Sequence, residues 1–277
     1  MNRIQRLVLI VSMILGMNVA KAQEGIDTAM VRIHGISKIW VYVKIPALPN
    51  RTERDSCKAE EYNYDTLCRL TYRNNAMNCY GWGTASESFF TYGKGNKPIQ
   101  TKDIHDDIVS LSKYTYNAHG DVVKVVQTSP TSTDSMTTIN KYTYNKQGLV
   151  ARMVTTVMLA PDTVNYIYKY EYDTANNIKV IWTYTGDSQL IKKETYDITP
   201  ISKKLLEFSV ETKLPREQFT RGWNYYNEYA LLYKTQYSNN TWTDFEYFEN
   251  GLVARALSYN MQGKLNLIKT YYYKFYE

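Results

Sequence analysis

Apolar and aromatic positions alternate with polar ones along most of this chain. Ile178, Val180, Trp182 and Tyr184 alternate with Lys179 and Thr183, and Val164, Tyr166, Tyr168, Tyr170 and Tyr172 form the longest aromatic row at every second position. A period of two places such residues on one face of an extended strand. It predicts antiparallel sheet with one face covered and the other wetter. No long segment carries a helical period. Polar stretches at 129–138 and at Ala160-Pro161-Asp162 read as turns between strands.

The alternation is organised by a repeat. It reads Tyr114-Thr-Tyr116-Asn117-Ala-His-Gly120, then Tyr142-Thr-Tyr144-Asn145-Lys-Gln-Gly148, then Tyr170-Glu-Tyr172-Asp173-Thr-Ala-Asn176. Weaker copies centre on Tyr64, Tyr92, Tyr196, Tyr226 and Tyr247, and Leu149-Val-Ala-Arg152 recurs intact as Leu252-Val-Ala-Arg255. A half unit at Tyr259-Asn260-Met-Gln-Gly263 follows. Aromatics two apart share a strand face. Asn or Asp next can bond the turn backbone, and Gly three later accepts positive φ without a Cβ clash. The unit therefore predicts a tight hairpin on a type I turn closed by a left-handed residue. Gly120, Gly148, Gly251 and Gly263 fill that closing slot, with Asn96 and Asn176 as tolerated occupants, whereas Cys68, Pro200 and Ala230 predict different or longer turns. Gly186 falls outside the repeat frame. Eight units of two strands give about 16 strands, more than an open twisted sheet holds without curling or splitting. The fold expected is all-β, a repetitive antiparallel hairpin meander, strongly coiled or in two layers.

The first residues change the compartment. Arg3 and Arg6 precede an apolar run at 7–16, and Ala20-Lys21-Ala22 supplies a small-x-small cleavage pattern. The run is shorter than the roughly 20 residues of a membrane span, so 1–22 reads as a cleavable signal peptide. The organisation expected is leader 1–22, an N-terminal β segment or cap at 23–60 that includes the alternating Ile39–Ile45, and repeats at 61–277. Without Arg3, Arg6 and Lys21 the net charge of +6 falls to +3, with bases and acids interspersed. That balance does not suggest a nucleic-acid partner.

Cys57, Cys68 and Cys79 are confined to one short stretch. Export permits a disulfide, and three thiols leave at least one unpaired in a monomer. Cys68 with Cys79 is the preferred pair, because a turn at Asn74-Asn75 would fold their strands together. Zinc spacing and nearby histidines are lacking.

Tyr-x-Tyr-Asn/Asp-x-x-Gly resembles the YD, or Rhs, repeat of bacterial surface and toxin-delivery proteins, over Tyr62 to Gly263. In large members the repeats wind into a spiral β shell around a toxin domain. The chain looks more like the short, signal-bearing YD-like proteins of Gram-negative gut-type bacteria. The resemblance implies the hairpin meander and not the shell's function. Asp-Ser/Thr-apolar triplets also resemble the acceptor of a periplasmic O-glycosylation system in such bacteria. Thr28, Ser135 and Thr163 lie outside the repeat turns, and Thr66 and Thr174 lie within them.

No catalytic motif emerges. Asp103, His105 and Asp107 share one side of an extended segment, but a solvated acidic loop explains them as well. His119 sits at a repeat turn. The excess of 27 tyrosines over 7 phenylalanines points to rings with a polar tip, suited to cross-strand ladders and half-wet binding faces. Trp82, Trp223 and Trp242 are the candidate contacts. The expectation is a non-enzymatic exported β-repeat protein without a cofactor, binding an unknown glycan or protein at the cell envelope, periplasmic, surface-attached or secreted. The alternatives are an enzyme assembled from scattered residues and an outer-membrane β-barrel.

Overall fold

The computed structural model describes residues 28–277 apart from 49–51, 81–84, 107, 131, 160, 174, 176–177, 198–204, 213–217, 228 and 230. The leader, Trp82, Asp107, Thr174, Asn176, Pro200 and Ala230 lie outside the described residues. One short helix, α1 (Thr28–His34), precedes a single antiparallel sheet. Its strands in chain order are β1 (Ile36–Ile45), β2 (Arg54–Tyr64), β3 (Leu70–Ala76), β4 (Ala85–Tyr92), β5 (Pro98–His105) and β6 (Ile108–Tyr116). Next come β7 (Val122–Ser129), β8 (Ser132–Tyr144), β9 (Val150–Leu159), β10 (Asp162–Asp173), β11 (Ile178–Thr185) and β12 (Leu190–Asp197). The last are β13 (Leu205–Thr212), β14 (Gln218–Tyr226), β15 (Leu232–Tyr237), β16 (Trp242–Tyr247), β17 (Val253–Tyr259) and β18 (Leu265–Phe275).

From β2 to β18 each strand pairs with its neighbours in sequence, which is the meander the repeat predicts. β1 pairs with β2 along one side and with β18 along the other, so coiling brings the last strand round to the first. The N-terminal segment contributes β1, which includes the alternating Ile39–Ile45, as a strand of this sheet. β2 also runs across the expected boundary at residue 60.

The repeat turns form as their residues dictate. Gly148 N–H bonds the Asn145 carbonyl at 3.0 Å, and Asn145 N–H bonds the Leu149 carbonyl at 2.8 Å. The Asn145 side-chain oxygen accepts from the amides of Gln147 and Leu149. Asp65, Asn227 and Asn260 accept from turn amides in the same way. Gly120, Gly148, Gly251 and Gly263 take the left-handed φ of +70° to +79°.

Four expectations about turns need correction. Cys68 closes the same turn at φ +58°, since a side chain can be carried there at modest strain. Asn96 has no positive φ among the described residues, and its segment bends without the repeat's turn bonds. Gly186 lies inside a repeat-type turn that Ser188 closes at φ +67°, because Thr185 supplies a hydroxyl where Asn usually stands. The polar stretch 129–138 is mostly strand: β7 reaches Ser129 and β8 starts at Ser132.

Each of these hairpins also carries a register shift at its second aromatic. Thr115 pairs with Lys124 but Tyr116 pairs with Val122, and the same slip occurs at Tyr64, Tyr92, Tyr144, Tyr226 and Tyr247. An extra residue opposite one partner bends the strand and raises its right-handed twist. Repeated in unit after unit, it supplies the coil.

The disulfide joins Cys57 to Cys79, with Cα atoms 5.6 Å apart, and leaves Cys68 free. The expected Cys68–Cys79 pair fails because Asn74 and Asn75 continue β3 rather than turning. Cys68 stays at the hairpin tip, while Cys79 arrives beside the opposite end of β2, where Cys57 lies. The apolar core gathers around β1, where Val31 of α1, Ile36, Ile39, Val41, Tyr62, Val253 and Tyr271 pack together.

The left-handed turn is directly testable at Gly148, where an added Cβ meets nothing within 4 Å, so only backbone strain counts. Gly148→Val is expected to cost about 1–3 kcal/mol by denaturant midpoint. Gly148→Asn is expected to cost much less, as Asn240 already occupies an equivalent slot at φ +61°. Equal stability of parent and Val variant would refute the turn assignment.

Candidate binding face

Register fixes which side chains share a face, because cross-strand partners point the same way. Tyr168 lies opposite Met153 on β9 and Thr183 on β11, and Thr183 lies opposite Lys192. Followed around the sheet, this face collects the repeat tyrosines of the eight full units, while Tyr259 of the half unit lies on the opposite face. It also holds the buried polar residues Thr101, Ser112, Thr138, Thr155, Thr183, Glu194, Asn224 and Thr235. It is the inner, covered face.

The inner tyrosines are tied in one pattern. Tyr92, Tyr116, Tyr142, Tyr172, Tyr247 and Tyr273 donate to the carbonyls of Leu70, Pro98, Val122, Val150, Leu232 and Val253, at 2.6–3.0 Å. Each acceptor is the residue opposite the preceding unit's second aromatic, at the register shift. A bulge disrupts the ladder, and the next unit's hydroxyl gives the carbonyl there a partner. Phenylalanine could fill the space but not make the bond. Burial raises these phenols: Tyr142 and Tyr247 are pushed up to about 12.

Where β18 meets β1 and β2, the inner face buries an ion pair. Glu60, 3% exposed, accepts from Lys269 Nζ at 2.8 Å and from the hydroxyls of Tyr62 and Tyr80 at 2.6 Å. Burial alone would raise the Glu60 carboxyl, but the Lys269 charge and these donors outweigh it and hold it well below the usual range. Burial would likewise lower Lys269, and the charge of Glu60 raises it instead. Donors and acceptors here answer one another, so the cluster is structural.

The outer face is different. Trp223 pairs with Gln236, Gln236 with Trp242, and Trp242 with Tyr259. These four side chains therefore form one outward row across β14–β17. The Trp242 and Tyr259 rings stack at 4.8 Å and 13°, and Trp242 Nε1 is oriented by Asp244 at 3.1 Å. Lys234 sits 5.4 Å from the Trp242 ring centre. Tyr225 and Tyr233 are each more than a third exposed nearby. The row offers planar ring faces beside an amide, a combination suited to a sugar ring or a peptide. Sequence reading singled out Trp223 and Trp242, and the structure brings them together. It missed Gln236 and Tyr259, which only strand register reveals.

The remaining candidates separate. Asp103 is half-buried and accepts from Ser88 at 2.6 Å, and burial raises its carboxyl. His105 is exposed, and no cluster of three metal-ligating side chains occurs among the described residues. His119 stacks on Tyr144 at 4.4 Å. Of the glycosylation candidates, Thr28 starts α1, and Thr66 is exposed in the β2–β3 turn. Ser135 and Thr163 are exposed on β8 and β10 rather than in turns.

Comparison by sequence finds no matching protein family and no similar curated protein. By structure, the chain is similar to a porin-like protein from Bacteroides uniformis, at 11% identity and a TM-score of 0.40, covering 86% of this chain and 98% of that one. It is also similar to part of a TcdB2-TccC3-Cdc42 complex, at 12% identity and a TM-score of 0.26, covering 82% of this chain but 14% of that one. Neither likeness is high enough to assign a family or a function.

The buried pair predicts a stability profile. Glu60 has a lowered folded pKa, so its contribution is present above the unfolded value near 4.3 and is lost as pH falls further. Glu60→Gln leaves Lys269 without its counter-charge and is expected to cost about 3–5 kcal/mol at pH 7, whereas Glu60→Leu/Lys269→Met is expected to cost far less. Chemical denaturation at pH 7 and pH 4 checks both, and the deficit of the Gln variant should shrink at the lower pH.

Proposed function

We propose that this chain is an exported, non-enzymatic YD-like repeat protein that works as a binding or surface-structural module. Its outer Trp223–Gln236–Trp242–Tyr259 row would contact a glycan or protein. The observation that carries the reading is the register that sets two tryptophans, a glutamine and a tyrosine side by side on the uncovered face. The leader at 1–22 supports export. The inner face supports a structural role for the repeats, since its tyrosines bond the sheet itself. The turn chemistry at Asn117–Gly120 and Asn145–Gly148 supports the likeness to YD repeats.

A lipid-embedded barrel is disfavoured by the outer face. Lys113, Lys124, Lys141, Arg152 and Lys169 all point outward from within strands and are exposed. A Lys or Arg on a lipid-facing position costs about 2–4 kcal/mol at the bilayer midplane.

Two measurements test the proposal. Intact mass from the native host should show a mature N-terminus at Gln23. An array of glycans and envelope proteins should yield a ligand whose binding falls at least tenfold in Trp223→Ala and Trp242→Ala, with melting temperature little changed. A retained leader would contradict export. Ligand binding indifferent to both tryptophans would contradict the assigned face.

A further inference from the structure

A second feature occupies the outer face of β6–β12. The repeat places a lysine directly before the first tyrosine slot of four units: Lys113, Lys141, Lys169 and Lys193. It places a second cation four residues after the turn glycine: Lys124 after Gly120 and Arg152 after Gly148. The inward tyrosines fix the parity, so all six project outward, one per strand on β6, β7, β8, β9, β10 and β12. On β11 the position between Lys169 and Lys193 is held by Trp182, which pairs with both. With strands about 4.8 Å apart, the six cations span roughly 30 Å across the strands.

Arg152 lies directly opposite Lys169, a like-charge cross-strand pair that disfavours the sheet. Among the described residues, none of the six has a carboxylate at ion-pair distance. The outward acids of β10, Glu171 and Asp173, stand opposite Val180 and Ile178.

The same fold provides an internal contrast. Arg255 occupies the repeat position of Lys124 and Arg152, and there Glu246 stands opposite and binds it at 2.6 Å. Opposite Lys124 and Arg152 the corresponding residues are Thr115 and Thr143. Two of the cations rest against rings: Lys193 Nζ is 4.9 Å from the Trp182 centre and Lys169 Nζ is 5.0 Å from that of Tyr184. A line of cations flanked by aromatic faces complements a chain of negative charges borne on rings.

We propose that the outer face of β6–β12 is a docking track for a linear acidic polysaccharide. The cations meet its carboxylates, and Trp182 and Tyr184 lie against its sugar rings. The choice of a glycan over a nucleic acid rests on the export reading above. The track is distinct from the Trp223–Tyr259 row, which carries no comparable run of charge.

The test uses the processed protein with polygalacturonate as probe. Neutral dextran, single-stranded DNA and phosphatidylglycerol vesicles serve as comparisons at 50 mM and 300 mM salt. Polygalacturonate is expected to bind, to weaken at least tenfold with the added salt, and to outcompete the DNA and the vesicles. Lys141→Gln/Arg152→Gln/Lys169→Gln should weaken binding at least tenfold, Lys113→Gln/Lys124→Gln severalfold, and Arg255→Gln should leave it unchanged. The two multiple variants guard against misfolding of either one. The proposal is overturned if processed protein fails to bind polygalacturonate at low salt, or if both multiple variants bind like the parent. Tighter binding of DNA or vesicles also overturns it. Failure of the export reading would show separately, as an uncleaved leader.

Discussion

A tyrosine hydroxyl reaching back to the preceding unit's bulge is the interaction on which this sheet depends. The register shift at each second aromatic gives the meander its coil, but a bulge interrupts the ladder. The hydroxyls of Tyr92, Tyr116, Tyr142, Tyr172, Tyr247 and Tyr273 each supply a partner to the carbonyl beside such a shift. Twist and repair are thus encoded together in Tyr-x-Tyr, and both aromatics must point inward for the repair to work. That requirement in turn sends every intervening residue outward. β1 completes the arrangement by pairing with β18 and β2 and burying Ile39, Val41 and Val43.

Much of this was legible in the sequence because the repeat states its own local geometry. Tyr-x-Tyr-Asn-x-x-Gly names a strand, a turn bond and a positive φ, and Asn145 and Gly148 deliver each. Reading the closing residue as glycine or asparagine alone was too narrow. Cys68 and Ser188 hold the same conformation, so the turn is set by the Asp65 or Thr185 side chain that binds its amides as much as by the residue that closes it. The disulfide differs from the expected pair because Asn74-Asn75, despite its turn composition, is held extended between β2 and β4. Local composition loses to pairing on both sides.

The two outward rows were hidden for a different reason. Sequence shows bases and acids interspersed, and the parity of a strand then separates them. Glu60 and Glu194 turn inward to Lys269, Lys192 and tyrosines, while Lys141, Arg152 and Lys169 turn outward without acids opposite. Trp223 and Trp242 are 19 residues apart in the chain yet lie in one row because Gln236 sits between them in register. The near balance of bases and acids along the sequence conceals both arrangements. They emerge only once the hairpins fix which residues face out.

The central claim is that the repeat tyrosines hold the coil by their hydroxyls rather than by their rings alone. Tyr172 is the place to test it, since its hydroxyl donates to the Val150 carbonyl at 3.0 Å. Tyr172→Phe keeps the ring and leaves that carbonyl without the donor. The account predicts a loss of about 1–3 kcal/mol in denaturant unfolding, with Tyr116→Phe behaving alike. If both phenylalanine variants unfold at the parent's midpoint, the hydroxyl ties do not hold the units together, and the account of the coil fails.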